Sequence, residues 1–259
     1  MQTVILCGGL GTRMREETEF RPKPMVPVGS RPIIWHIMKI FAHHGHTDFV
    51  LPLGYKGDMI REYFWNYEIM NNDVTLYLGR SNGLQVHNRH QEDNWKVTLV
   101  NTGQANLKGS RLKQVERFIE DERFMVTYGD GLANVNLPEL LEFHQSHGKT
   151  ATLTGVNLAS RFGELKEKNN QVTAFMEKPQ EVAENLINGG FFVFERRIFE
   201  LLSPDPACDL EIGPLEELAR QGELMVYKHG GFWACMDNIR DVDYLNKLWD
   251  EGRAGWKVW

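Results

Sequence analysis

The chain has 259 residues, enough for one large α/β domain, and 42% of them are hydrophobic, which is enough to fill a core. Its 29 basic and 35 acidic residues give a net charge of −6, which argues against broad binding to nucleic acid or to an anionic membrane, because both need an extended positive surface. Three cysteines without metal-ligand spacing, no signal-peptide pattern and no apolar run of about 20 residues indicate a cytoplasmic protein.

The first element is a short apolar strand that ends at a cluster of glycines. The run Val4 to Cys7 is typical of a buried parallel strand, and α/β proteins bind ligands where such strands end. Glycine allows successive backbone N–H groups to approach an anion, and nearby cations add charge. The sequence therefore predicts a phosphate-binding loop, formed by Gly8, Gly9, Gly11, Thr12, Arg13 and Lys23.

Two common nucleotide motifs are excluded for this loop. No Gly-Lys-Ser/Thr follows at the spacing of a Walker loop, and Met14 stands where the dinucleotide fingerprint needs a third glycine. A glycine loop after a strand can also be a simple turn. The cations Arg13 and Lys23 favour the phosphate site.

The next elements alternate between helix and strand. Ser30 and Pro32 predict the start of a helix with one apolar face, which ends at Gly45. Asp48 to Gly54 predicts a second strand, and a further helix follows Asp58. This alternation indicates an α/β fold, with a Rossmann-like mixed, mainly parallel sheet and helices on both faces.

Residues 71–108 differ in character from the rest of the single predicted domain, which spans 1–259. Val74 to Leu78 and Leu84 to His87 flank an Asn-Gly turn and predict a β-hairpin. Trp95 to Val100 alternates polar and apolar residues and predicts another strand. We expect a small antiparallel β insertion at about 71–108, at the edge of the sheet.

Another predicted buried strand, Phe124 to Tyr128, ends at Gly129 and Asp130. A carboxylate beside bound phosphates would be repelled unless a cation lay between them, so Asp130 is a candidate ligand of Mg²⁺. The alternative is a turn aspartate that caps the next helix.

The remaining chain predicts a helix from Pro138 to His147, a strand from 151 to 156, a hairpin over 164–176 and a strand over 187–194. Asn188 at the start of that last strand could bind a sugar hydroxyl. A final helix begins after Asn238. The sequence contains no Ser-His or Cys-His nucleophile motif.

Leu6 to Arg13, with Lys23-Pro24, resembles the amino-terminal signature of the sugar-1-phosphate nucleotidyltransferases. The stretch Gly11 to Thr18 is most similar to the branch that uses CTP and glucose 1-phosphate and releases CDP-glucose and pyrophosphate. The resemblance implies Mg²⁺, homo-oligomers and a step toward CDP-linked sugars of surface polysaccharide such as the lipopolysaccharide O-antigen.

The same resemblance implies site residues. Catalysis is assigned to Arg13, Lys23 and Asp130, and the metal to Asp130 and Asp237. The implied nucleotide-binding residues are Leu6, Gly8, Gly9, Gly11, Thr12, Arg13, Lys23, Thr102, Arg111 and Gly129. The implied sugar-phosphate residues are Glu177, Lys178, Asn188 and Gly189.

Alternatives remain open for two residues and for the function. Arg111 could be an ordinary surface arginine, and Asp237 or Asn238 could merely cap the final helix. The substrate could be UTP or dTTP instead of CTP. A regulatory protein that binds a nucleotide without catalysis is a further alternative, although such relatives usually lack the charged residues that this chain retains.

Overall fold

The computed structural model describes residues 1–79, 83–157, 164–168, 171–176 and 186–259. Within these ranges no helix combines the length and apolar character needed to cross a bilayer. The strands are β1 Thr3–Leu6, β2 Pro27–Val28, β3 Arg31–Pro32, β4 Asp48–Leu53, β5 Val74–Leu76, β6 Leu84–Val86, β7 Lys96–Asn101, β8 Arg123–Tyr128, β9 Gly131–Ala133, β10 Ala151–Val156, β11 Glu164–Lys168, β12 Gln171–Met176, β13 Ile187–Glu195, β14 Leu224–His229 and β15 Trp233–Cys235. The α-helices are α1 Arg15–Thr18, α2 Ile33–His43, α3 Gly57–Trp65, α4 Tyr67–Asn71, α5 Lys108–Gln114, α6 Leu137–His147, α7 Glu216–Arg220 and α8 Ile239–Asp250.

A seven-stranded sheet in the order β14-β10-β13-β8-β1-β4-β7 forms the centre of the molecule. Six strands run in one direction, and β13 runs against both of its neighbours. Side chains alternate between two cores: Ile5 packs with α2, α6 and α8 on one face, whereas Val4 and Leu6 pack with α5 and α7 on the other. The predicted α/β fold, with a mainly parallel sheet and helices on both faces, is confirmed.

The strand order determines where a ligand can enter. The chain passes from β1 to β4 and β7 on one side and returns to β8 on the other, so β1 and β8 flank a topological switch point. Such points open a crevice at the carboxyl ends of parallel strands. Because β13 is reversed, its amino-terminal end lies at this same edge, which brings Asn188 to the crevice.

A second ladder joins distant parts of the chain at this edge. The short strands β9 and β15 pair antiparallel, with Gly131 opposite Cys235. The Met236 N–H donates to the Asp130 carbonyl oxygen at 2.9 Å. The ladder thereby places Asp130 and Asp237 side by side, although 107 positions separate them in the sequence.

Two predictions about the elements are wrong. The strand predicted at Trp95 to Val100 is β7, which pairs parallel with β4 in the main sheet, so the antiparallel insertion is limited to the hairpin β5–β6 and does not extend to 108. Ser30 does not cap α2, because it lies in the turn between β2 and β3 and Pro32 precedes the helix. The turn expected at Asn82 lies outside the described residues.

The carboxyl-terminal tail folds back onto the domain. Trp256 is fully buried and packs with Trp249 and His36. The Nε1–H of Trp256 donates to Nδ1 of His36 at 3.3 Å, and Nε2 of His36 bonds to the Val28 carbonyl oxygen at 2.9 Å. His36 must therefore be neutral, and its burial lowers its pKa from 6.5 to about 4.

Acid should destabilise the protein through His36. A folded-state pKa below the unfolded value gives stability that is present above pH 6.5 and is lost as pH falls toward 4. We expect this residue to cost roughly 3 kcal/mol of unfolding free energy between pH 7 and pH 4. Urea unfolding of the protein and of His36→Gln measures it: the stability difference between the two should narrow by that amount. A constant difference would contradict it.

Candidate active site

A cavity of about 1240 Å³ opens at the carboxyl edge of the sheet. Most of the predicted site residues line it, namely Leu6, Gly8, Gly9, Gly11, Thr12, Arg13, Lys23, Arg111, Gly129, Asp130, Asn188 and Asp237. Thr102 and Gly189 are buried and are not among the residues that line the cavity. Glu177 and Lys178 lie outside the described residues.

The glycine loop is held in shape by Thr18. Gly11 has a positive φ of 63°, and a Cβ there would come within 2.6 Å of the Thr18 methyl carbon. The Thr18 hydroxyl lies 3.0 Å from the Gly11 carbonyl oxygen and 2.9 Å from that of Met14. The loop is therefore preorganised before any ligand binds, which reduces the entropy cost of binding.

Arg111 is buried beneath this loop and is not a surface arginine. Only 3% of it is exposed, and its guanidinium donates to the carbonyl oxygens of Gly8 at 2.9 Å and Gly103 at 2.7 Å. It also donates to the Thr102 hydroxyl at 2.8 Å, and that hydroxyl donates to the Leu53 carbonyl oxygen. Arg111 thus ties the glycine loop to the ends of β4 and β7.

The carboxylates of Asp130 and Asp237 meet at Lys23. The Lys23 Nζ lies 2.7 Å from Oδ2 of Asp130 and 2.8 Å from Oδ1 of Asp237. Arg13 approaches the other oxygen of Asp237 at 3.1 Å, while its side chain stays 75% exposed to the cavity. The structure therefore brings together the four charged residues predicted for the site.

These charges stabilise one another. Burial alone would lower the pKa of Lys23, but the charge of Asp130 and the hydrogen bonds to Asp130 and Asp237 raise it above its usual value. Burial alone would raise the pKa of Asp237, but the hydrogen bond and charge of Lys23, with the charge of Arg13, lower it. Lys23 is charged and Asp237 is ionised at neutral pH.

The helix α8 is capped by Asn238, not by Asp237. The Asn238 side chain accepts from the backbone N–H groups of Arg240 and Asp241, and Asp241 completes a capping box. Asp237 keeps its carboxylate oxygens for Lys23 and Arg13. The alternative of Asp237 as a simple cap is therefore wrong.

The paired carboxylates fit a hard divalent cation. One ligand atom from each of Asp130, Cys235 and Asp237 lies within 4.8 Å of the others. The Cys235 sulfur is a soft ligand, which a hard cation such as Mg²⁺ does not favour. Carboxylate oxygens are the ligands that Mg²⁺ prefers, and the position of the Lys23 ammonium shows that a cation is stabilised between them.

The cavity also has residues that the sequence did not identify. Tyr128 ends β8 beside the glycine loop, and Glu211 and Lys108 line the same wall. The Asn188 Nδ2 donates to the Tyr128 hydroxyl at 2.9 Å. The sequence could have indicated Tyr128, because it immediately precedes Gly129 and Asp130. No sequence pattern indicates Glu211, because it lies in an irregular segment far along the chain.

The chain belongs to the nucleotidyl transferase family, whose profile matches residues 2–250. Within this family it is similar over its whole length to glucose-1-phosphate cytidylyltransferases. It is 48% identical to the glucose-1-phosphate cytidylyltransferase of Salmonella typhimurium over 260 residues, and 100% of each chain is covered. It is 45% identical to a probable glucose-1-phosphate cytidylyltransferase of Bacillus subtilis over 259 residues, again with 100% of each chain covered.

A solved structure with the same fold is a putative glucose-1-phosphate thymidylyltransferase from Bacillus anthracis, with a TM-score of 0.68 and 21% identity. The match covers 96% of this chain and 94% of the other. The predicted resemblance to the sugar-1-phosphate nucleotidyltransferases is confirmed by the sequence relatives.

Two adjacent glycines of the loop should respond differently to alanine. A Cβ at Gly8 would lie 2.2 Å from the Arg111 guanidinium, whereas nothing lies within 4 Å of a Cβ at Gly9. We expect Gly8→Ala to lose about 2 kcal/mol of unfolding free energy through overpacking. Gly9→Ala should lose less than about 0.5 kcal/mol, as at an open surface position. Urea unfolding checks both, and equal losses would refute the role given to Arg111.

Proposed function

We propose that the chain transfers a cytidylyl group from CTP to glucose 1-phosphate and releases pyrophosphate. The observation that carries this proposal is the set of Arg13, Lys23, Asp130 and Asp237 beside a preorganised glycine loop. In this cluster the two cations can neutralise phosphates, and the two carboxylates can hold a metal ion that does the same. The whole-length similarity to glucose-1-phosphate cytidylyltransferases supports the choice of substrates.

In the proposed reaction, an oxygen of the sugar 1-phosphate attacks the α-phosphorus of CTP as the bond to the β-phosphate breaks. The exposed guanidinium of Arg13 would neutralise the departing phosphates, and Lys23 would hold the α-phosphate. Lys178 and Glu177 would hold the sugar phosphate, together with Asn188. The protein then contributes to catalysis by positioning the substrates and neutralising their charge.

We assign the metal site to Asp130 and Asp237 and the metal to Mg²⁺. When bound, the ion would neutralise negative charge on the reacting phosphates. Both carboxylates accept from the Lys23 ammonium between them, so they are suitably placed to hold a cation.

The two cysteine thiols that line the cavity, Cys7 and Cys235, are not activated as nucleophiles. Burial raises the pKa of the Cys7 and Cys235 thiols, and the charge of Asp130 raises it further. Both thiols therefore stay protonated at neutral pH. Because only the thiolate is strongly nucleophilic, neither thiol is an effective nucleophile. This supports direct transfer between the two substrates.

We also propose that the protein is a cytoplasmic homo-oligomer. Exposed apolar side chains are concentrated on three successive elements, α3, α4 and the hairpin β5–β6, and include Trp65 at 87% and Met70 at 76% exposure. Grouped apolar surface of this kind favours association with a second copy. Sedimentation velocity is the measurement that decides the oligomeric state.

The nucleotide preference tests the proposed function. We expect pyrophosphate release with CTP, glucose 1-phosphate and Mg²⁺ to exceed release with UTP, dTTP, ATP or GTP by at least about 100-fold in kcat/KM, because a site that pairs with the cytosine amine rejects a carbonyl there. A preference for UTP or dTTP would contradict the proposed specificity for cytosine, but it would be consistent with the nucleotidyl transferase family. No turnover with any nucleotide would support the binding-only alternative.

Removing the charge of Asp130 should abolish most of the turnover. We expect Asp130→Asn to lower kcat at least about 100-fold, the usual cost of losing one electrostatic group of an active site. Asp48→Asn is the matched control: Asp48 also pairs with a lysine, Lys96 at 2.9 Å, but lies at the opposite edge of the sheet. Unchanged kcat in Asp130→Asn, with a folded protein, would remove Asp130 from catalysis.

A further inference from the structure

A chain of hydrogen bonds runs along the wall of the cavity that carries Asn188. Asn188 donates to the Tyr128 hydroxyl at 2.9 Å, and that hydroxyl donates to Oε1 of Glu211. The other oxygen of Glu211 lies 2.8 Å from Nζ of Lys108. All four residues line the cavity.

The orientation of the Asn188 amide follows from its neighbours. The backbone N–H of Gly190 lies 2.9 Å from the amide and can only donate, so the atom that faces it must be Oδ1. The nitrogen Nδ2 must therefore face Tyr128. One proton of Nδ2 is used there, and the second is left for a ligand because Asn188 is exposed to the cavity.

The Tyr128 hydroxyl has a fixed direction too. An ordinary phenol keeps its proton at neutral pH, so the Tyr128 hydroxyl has one O–H to donate. A carboxylate paired with Lys108 is an acceptor, and the phenol proton points to it. The hydroxyl oxygen is then available only as an acceptor toward Asn188.

The fold makes room for this arrangement. Gly190 has a φ of 79°, and a Cβ there would lie 2.4 Å from the Tyr128 ring. The ring also packs edge-on against Phe192 at 5.6 Å. Glu211 begins an irregular segment in which Gly213 has a φ of 102°, so this backbone departs from a regular helix where the carboxylate is needed.

We propose that Tyr128 is a positioning residue for the sugar phosphate: with Glu211 it fixes the Asn188 amide so that an N–H faces the sugar. This proposal rests on the proposed function. It gives the sugar subsite a donor that matches a hydroxyl oxygen of the hexose. Without the Tyr128 hydroxyl, the Asn188 amide would keep its contact with the Gly190 N–H but would lose the acceptor that holds Nδ2. The N–H that faces the sugar would then be less firmly directed, although all atoms of Asn188 would remain.

The test separates the two substrates. We expect Tyr128→Phe to raise the KM for glucose 1-phosphate on the order of tenfold, because one ordered hydrogen bond is lost. The KM for CTP and the kcat should change less than about twofold, since the ring still packs on Gly190. The matched control is Tyr227→Phe: Tyr227 donates to Glu139 at 2.9 Å but lies outside the cavity lining, and both KM values should stay unchanged.

A double-mutant cycle shows whether Tyr128 acts through Asn188. In the Asn188→Ala background, Tyr128→Phe should add less than about twofold to the KM for glucose 1-phosphate, because there is no amide left to orient. An equal rise in both KM values, an unchanged KM for the sugar phosphate, or a full tenfold effect without Asn188 would each overturn the proposal. Turnover of the unaltered protein with CTP is measured alongside, so a failure of the proposed function is recognised separately.

Discussion

The contact on which the site depends is the bridge from Lys23 to Asp130 and Asp237. Two carboxylates at this separation repel each other unless a cation lies between them, and their partial burial strengthens the repulsion. The ladder of β9 and β15 forces the two aspartates together, and the Lys23 segment supplies the charge that makes this tolerable. The site therefore holds a cation position before it holds a substrate. Phosphates that enter the cavity meet a single cluster, in which Arg13 and Lys23 supply positive charge and the two carboxylates can hold a metal.

The second organising contact is the buried guanidinium of Arg111. It collects carbonyl oxygens from the glycine loop and from the ends of two strands, so it substitutes for a regular network of backbone hydrogen bonds at the crevice floor. This changes the reason for one glycine. Gly8 is small because Arg111 occupies the space of its side chain, whereas Gly11 needs its positive φ and Gly9 stays open to the cavity. Gly8 and Gly11 are therefore glycines for two different physical reasons, and neither reason applies to Gly9.

The local pattern of apolar, glycine and capping residues predicts most helices and strands of this fold, but it does not predict how the strands are arranged in the sheet. The apolar run before Gly8 and the capping residue Asn238 were sufficient for β1 and the start of α8. The alternating pattern of β7 looked like a hairpin strand, but an edge strand of a parallel sheet also has one exposed face and alternates in the same way. The sequence cannot show that β13 runs in reverse, because strand direction depends on long-range pairing, and this reversal brings Asn188 to the site. Arg111 and Glu211 illustrate the same limit: their partners lie on segments that only the folded chain brings near them.

In the proposed mechanism, the site positions the two substrates and neutralises their charge, and no covalent bond forms between protein and nucleotide. Stereochemistry at phosphorus tests this most directly. CTP that carries sulfur on its α-phosphate, as one diastereomer, is converted with glucose 1-phosphate, and the configuration of the CDP-glucose analogue is determined by phosphorus NMR. A single in-line displacement predicts inversion. Retention would require two displacements through a protein-bound nucleotide and would contradict the account.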